Sequence, residues 1–119
     1  MKSYLALLFL LVINLGCSQN KSKAIVTVST EELKGVVLVD VRTPEEFKAG
    51  HVANAINMNW FDSDFVQQIE ATVSKDKAVY VYCKAGGRSA KAAQKLEALG
   101  YTVTDLQGGY DAYIAKQEK

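Results

Sequence analysis

Cys83-Lys84-Ala85-Gly86-Gly87-Arg88-Ser89 follows the apolar run Val79-Tyr80-Val81-Tyr82. A thiol at the end of a strand, then a glycine pair, then a helix, meets backbone N–H groups and the positive end of a helix dipole. Both favour its thiolate. Gly86 and Gly87 let the backbone turn so that several N–H groups converge on one point. Lys84 and Arg88 add positive charge, and no carboxylate lies between Cys83 and Ser89. A thiolate held this way is a nucleophile, and the loop around it is shaped for an anion. Cys83 is therefore the candidate nucleophile, and the planar fork of Arg88 is suited to orient the loop and an anionic ligand. Lys84, Ala85, Gly86, Gly87 and Ser89 complete the candidate binding loop. Ser89 also reads as the cap of the helix that follows. Read from the loop alone, a buried and inert cysteine at a strand end is the competing assignment.

Other residues with chemical capacity read as supports. His51 is the only histidine, so a two-histidine metal site does not exist, and the ring is expected to fix the turn after Gly50 by a hydrogen bond. Asp40 and Arg42 stand at the end of a second apolar run and read as a pair that buttresses the loops. Trp60 and Phe61 are expected in the core or at its rim.

The elements that position these residues follow from patterning. Ala24 to Val28 is a candidate first strand. A short helix capped by Thr30 is expected up to Gly35. Val36 to Val41 reads as a strand buried on both faces. Thr43-Pro44-Glu45-Glu46-Phe47 predicts a helix start, with Thr43 as cap, Pro44 at the first position and Glu46 closing a capping box; Gly50 ends it. Ala55 to Asn57 suits a short strand. Phe65, Ile69 and Val73 set the face of a helix over Asp62 to Val73. Ala78 to Tyr82 is a buried strand. A helix from Ser89 to Leu99 places Ala90, Ala93, Leu96 and Leu99 on one stripe. Val103 to Leu106 is the last strand, and Gly108-Gly109 leads into a short helix with Tyr110 and Tyr113. Alternating strands and helices specify an α/β domain with a mainly parallel sheet covered on both faces. Ligands of such sheets sit beyond the carboxyl ends of the strands, where Asp40 and Cys83 both fall.

Three ordered motifs resemble those of rhodanese-type sulfurtransferases. Cys83 to Ser89 resembles that family's active-site loop. Leu38-Val39-Asp40-Val41-Arg42-Thr43-Pro44-Glu45-Glu46-Phe47, with Gly50-His51-Val52 and Ala55-Ile56-Asn57, resembles its N-terminal signature. Leu106-Gln107-Gly108-Gly109-Tyr110 resembles its C-terminal signature. His51-Val52-Ala53-Asn54-Ala55 lacks the proline usual there, and Tyr113 stands where many members have Trp. The resemblance implies a three-layer α/β/α fold with about five strands. It also implies transfer of sulfane sulfur from a small anionic donor such as thiosulfate, through a Cys83 persulfide, to cyanide or a thiol. No cofactor is called for. Asp40, Arg42 and His51 would support the site. Two other uses of the scaffold stand beside this one: a persulfide carrier or interaction module without turnover, and phosphatase or arsenate-reductase chemistry. The related phosphatases use Cys-x5-Arg, whereas four residues separate Cys83 from Arg88 here.

The chain has 119 residues, 49% of them hydrophobic, one proline and a net charge of +1. This suits one compact domain and gives no clustered basic face for nucleic acid. Residues 1–16 read as a signal peptide: Lys2 is basic, and Tyr4 to Leu15 is apolar but too short to span a bilayer. Leu15-Gly16-Cys17 resembles the lipobox of bacterial lipoproteins, which makes Cys17 the expected lipidation site. Residues 17–23 then form a polar tether and 24–119 the domain. The expectation is an exported protein of the cell envelope, held to the membrane through Cys17. Cys83, the second of only two cysteines, is then left without a partner in its own chain.

Overall fold

Val79 and Val81 turn to one face of a central strand, and Tyr80 and Tyr82 to the other. This two-residue period sorts the whole core into two layers. In the computed structural model, which describes residues 21–118, the elements are as follows: β1 (Lys21–Ala24), a 3-10 turn (Ile25–Thr27), α1 (Thr30–Lys34), β2 (Val37–Asp40), α2 (Pro44–Ala49), β3 (Ile56–Asn57), α3 (Phe65–Thr72), β4 (Ala78–Tyr82), α4 (Gly87–Ala98), β5 (Thr102–Gln107) and α5 (Gly109–Gln117). The signal-peptide and Cys17 assignments lie outside the described residues. The five strands form one sheet in the order β1-β5-β4-β2-β3, with every pair parallel.

One face packs Val39, Val79, Val81 and Val103 against Phe65 and Ile69 of α3 and Ala92, Ala93 and Leu96 of α4. The other packs Leu38, Tyr82 and Leu106 with Ile25, Val52 and Ala55, and with Leu33, Phe47, Tyr110 and Tyr113 of the helices on that side. The three-layer α/β/α architecture expected from the alternation is thus present. Asp40 stands level with Tyr82 in the β2–β4 register, so both strands end at the same height.

Local chemistry explains most boundaries. Thr43 and Glu46 form the expected capping box, with Pro44 opening α2. Asn54 takes φ +70 in the turn after Val52; asparagine tolerates that region better than most residues. Several boundaries differ from expectation; α3, for one, opens at Phe65 rather than Asp62. The first strand is Lys21–Ala24, not Ala24 to Val28, because these residues pair with Thr104 to Gln107 and Ile25 then turns into the core. Residues 21–23 therefore belong to the sheet rather than to a tether. Lys23 is fixed further by Glu32, at 2.7 Å. Ser29, not Thr30, caps α1, accepting from the Glu32 N–H at 3.0 Å. α4 starts two residues earlier than expected, at Gly87. Its buried stripe is Ser89, Ala92, Ala93 and Leu96, and Ala90 faces solvent.

Candidate active site

Cys83 is the first residue past β4, and strand alternation points its side chain to the α4 face with Val81. Gly86 caps α4 at φ +136, a conformation open to glycine. That turn aims the Gly86 N–H at Cys83 Sγ, 3.0 Å away. The cap supplies no side-chain acceptor. The amides of Gly87, Arg88 and Ser89, in the first turn, have no intrahelical acceptor either. A Cβ added at Gly86 or Gly87 would meet nothing within 4 Å, so the outer side of the loop is open.

The sulfur itself lies beneath this loop. Cys83 is 1% exposed, whereas an open nucleophile would stand clear of the surface. The reason is the inward turn of the residue onto the core face of the sheet. A groove of about 430 Å³ lies on the opposite face of the sheet between α1, α5 and the turn at Val52 to Asn54, away from the thiol.

Three residues of the loop behave differently from expectation. Ser89 is the third helical residue rather than the cap. Its hydroxyl donates to the Gly86 carbonyl at 3.2 Å and lies 3.5 Å from Cys83 Sγ. Arg88 is pinned rather than free: its guanidinium donates to both oxygens of Glu46, at 2.7 and 3.1 Å. The Arg88 bonds hold the Glu46 carboxyl at about 2, with help from the Thr43 N–H and hydroxyl. Arg88 also lies 5.5 Å from the ring centroid of Phe61, which is 66% exposed on the rim. Lys84, expected to serve the anion, is turned outward to Asp111 of α5, at 2.9 Å. With Lys84 paired to Asp111 and Arg88 to Glu46, the loop amides are left as the donors nearest the sulfur.

Asp40, Arg42 and His51 make contacts that tie strand ends and turns together. Asp40 is fully buried and accepts from the Arg42 backbone N–H at 2.9 Å and from its guanidinium at 2.6 Å. Arg42 also donates to the Gly50 carbonyl at 2.7 Å and lies over the Tyr110 ring at 4.4 Å. These contacts tie the end of β2 to the turn after α2. His51 stacks on Phe47 and binds the Phe47 carbonyl through Nδ1 at 2.8 Å. Tyr82 accepts from the Val52 N–H at 3.0 Å.

Residues outside the expected set complete the site. Glu46 reads in the sequence only as a capping residue, and its place 42 residues before Arg88 gave no local signal of the pair. Gly109, at φ +61, lets α5 close on the loop: a Cβ there would stand 2.4 Å from the Lys84 carbonyl oxygen. The Tyr110 and Asp111 N–H groups donate to the Cys83 and Lys84 carbonyls at 2.8 and 3.0 Å. Asp105 of β5 is 7% exposed and lies beside Ser89, with Oδ1 lacking a hydrogen-bond partner. Its place two residues after inward-facing Val103 was the signal for it.

Known proteins resemble this chain in sequence and fold. A family model described as rhodanese-like domain matches residues 20–116. Thiosulfate sulfurtransferase 16, chloroplastic, of Arabidopsis thaliana is 37% identical over 107 residues, covering 81% of this chain and 89% of that protein. Uncharacterized protein YqhL of Bacillus subtilis is 35% identical over 95 residues, covering 76% and 73%. A crystal structure of a rhodanese-related protein from Thermoplasma volcanium aligns with a TM-score of 0.72 at 31% identity, covering 81% of this chain and 92% of that one.

Proposed function

The chain belongs to the rhodanese-like domain family, and on that premise we propose that it moves sulfane sulfur through a persulfide on Cys83. The observation that carries this reading is the Gly86 N–H directed at Cys83 Sγ, at 3.0 Å, in front of a helix whose first turn is otherwise uncapped. In the first step the thiolate attacks the outer sulfur of an anionic donor such as thiosulfate. A Cys83 S–S bond forms, the donor S–S bond breaks, and sulfite leaves with the electron pair. In the second step a thiol or cyanide takes the outer sulfur, and the Cys83 thiolate leaves. Ping-pong kinetics follow from this order. Loop amides stabilise the anionic sulfur in both steps, as an oxyanion hole does for oxygen. Arg88, braced by Glu46, adds positive charge and sets the loop's shape.

The test is mass spectrometry of the Cys83 peptide after thiosulfate treatment. One added sulfur, about 32 Da, is expected of a covalent intermediate; Cys83→Ser must abolish it while the fold persists. An unmodified Cys83 peptide in active protein would end the reading. The burial of Cys83 favours a second reading, a carrier that loads slowly and does not turn over. Single-turnover loading without release to a panel of thiols would select it. Aryl-phosphate hydrolysis that depends on Cys83 would instead indicate phosphatase chemistry.

Export and lipid anchoring through Cys17 form part of the proposal, supported by the apolar run Tyr4 to Leu15 and the Gly16-Cys17 junction. Cys17→Ser should shift the protein from the membrane to the soluble fraction. Unchanged partition would remove the anchor from the reading.

A further inference from the structure

Trp60 and Phe61 are neighbours in the chain and part company in the fold. Trp60 turns inward, meets Phe65 edge-on at 5.1 Å between ring centroids and packs against the core under α3 and α4. Phe61 turns outward and is 66% exposed. Single exposed apolar residues are ordinary on protein surfaces; Phe61 is set apart by where it stands and by how it is held. Arg88 Cζ lies over its ring, 5.5 Å from the centroid, and Arg88 belongs to the loop whose Gly86 N–H meets Cys83 Sγ. Both oxygens of Glu46 fix that guanidinium, so the ring rests on a cation that is already in place. The backbone under Phe61 is held as well. Its N–H donates to Asn59 Oδ1 at 3.0 Å, and the Asp62 N–H donates to the Asn59 carbonyl at 3.0 Å. Gln68 of α3 donates to the Asp62 and Asp64 carboxylates at 3.0 and 2.8 Å. The Trp60 N–H donates to the Val41 carbonyl at 3.0 Å, which ties the same turn to the residue after β2. A phenyl ring thus stands in water beside the Cys83 loop, on a hydrogen-bonded turn.

Sulfur transfer takes a donor and an acceptor, and they differ in what they offer this ring. Thiosulfate and cyanide are small anions with no apolar surface to lay on it. A thiol carries its sulfur on carbon. We propose that Phe61 is a specificity-determining residue of the acceptor step, an apolar platform beside Arg88 for a low-molecular-weight thiol whose sulfur is borne on a hydrocarbon group. The proposal rests on the persulfide reading above. The hydrocarbon group covers the exposed ring face and gains the free energy of leaving water. The acceptor thiolate attacks the outer sulfur of the Cys83 persulfide. A new S–S bond forms as the Cys83 S–S bond breaks, Cys83 leaves as the thiolate with the electron pair, and the acceptor departs as its own persulfide. Phe61 meets only the hydrocarbon part of the acceptor, so it strengthens binding equally before and during the transfer. It has no part in loading Cys83.

Single-turnover discharge of the full chain tests the platform. Cys83 is loaded with thiosulfate, excess donor is removed, and loss of the added sulfur from the Cys83 peptide is followed by mass spectrometry against acceptor concentration. Phenylmethanethiol, mercaptoethanol and cyanide serve as acceptors, each compared between wild type and variant so that their own reactivities cancel. Phe61→Ala should slow discharge by dilute phenylmethanethiol roughly fivefold, the size expected when a single ring face of apolar surface goes uncovered. The loss should appear in the concentration that gives half the limiting rate, with the limiting rate itself within about twofold. Discharge by mercaptoethanol and by cyanide should stay within about twofold, as should loading by thiosulfate. Phe61→Leu keeps apolar surface and should recover most of the phenylmethanethiol rate. Equal slowing with all three acceptors, or slowed loading, would make Phe61 a prop for Arg88 and overturn the proposal. Unchanged discharge by phenylmethanethiol would overturn it too, as would a Phe61→Leu variant as slow as Phe61→Ala. Loaded wild type that discharges to none of the three acceptors removes the platform and leaves the carrier reading standing. Wild-type Cys83 that takes up no sulfur brings down the persulfide reading itself, and the platform with it.

Discussion

Replacing Glu46 by Gln keeps the shape of the side chain and removes its charge where Arg88 requires it. Glu46 accepts from Arg88 at 2.7 and 3.1 Å, from the Thr43 N–H at 3.0 Å and from the Thr43 hydroxyl at 3.1 Å. Its carboxyl is held at about 2 instead of the ordinary 4.5, Arg88 being the first cause. At about 1.36 kcal/mol per pH unit this depression corresponds to ~3.4 kcal/mol. The Arg88 and Glu46 side chains keep 21% and 28% of their solvent exposure, and screening reduces the net contribution to about 1–2 kcal/mol. The folded value lies below the unfolded one, so the stabilisation is complete above about pH 4.5 and is lost as pH falls toward about 2. Urea denaturation of wild type and Glu46→Gln should therefore differ by about 1–2 kcal/mol at pH 7 and by about half of that or less at pH 3. Arg88 should also lose its fixed position, and Cys83 alkylation should slow in the same variant. Equal stability at pH 7, or a difference that survives undiminished at pH 3, would refute the assignment of this pair as the brace of the loop.

Three further outcomes follow from contacts around the site. Gly109→Ala should destabilise the protein by about 2–4 kcal/mol, adding left-handed strain to overpacking, because its Cβ would stand 2.4 Å from the Lys84 carbonyl oxygen; Gly87→Ala, with open space around it, serves as the tolerated control in the same urea titration. Arg42→Met leaves Asp40 fully buried without its cation and should cost about 3–5 kcal/mol. Adding Asp40→Asn should recover part of that loss, and a thermal melt showing no recovery would argue against a buried-charge origin. Tyr82→Phe strips the acceptor from the Val52 N–H and should cost about 1–3 kcal/mol, with faster amide exchange at Val52 as the local readout.

What the sequence conveyed was the pattern carried by neighbouring residues. Ala78–Tyr82 has the expected limits because alternating Val and Tyr settle both its type and its two faces. The capping box at Thr43 and Glu46 was legible because its donors and acceptors lie three residues apart. Partners far apart in the chain were not. Nothing local to Lys84 reveals that Asp111 stands opposite it, or that Glu46 holds Arg88 while keeping its place in the helix cap. Ser89 was misplaced for a different reason. Ala90 is apolar and looks like the inward residue, yet closing the helix from Gly87 turns the serine inward and the alanine out. That rotation sets a hydroxyl, rather than a methyl group, beside the thiol. β1 was displaced because its polar residues Lys21, Ser22 and Lys23 give no strand pattern. Pairing to β5 along one edge supplies what their composition does not.

The edge position of β1 has a consequence for how the chain is assembled during synthesis. Its only sheet partner among the described residues is β5, the last of the five strands in chain order. β1 must wait, unpaired, until Thr102–Gln107 has been made. A nascent chain of this topology cannot close its sheet early and stays threadable until then. Completion depends on β1 meeting β5, so removal of β5 strips β1 of its pairing although it leaves Cys83 in place.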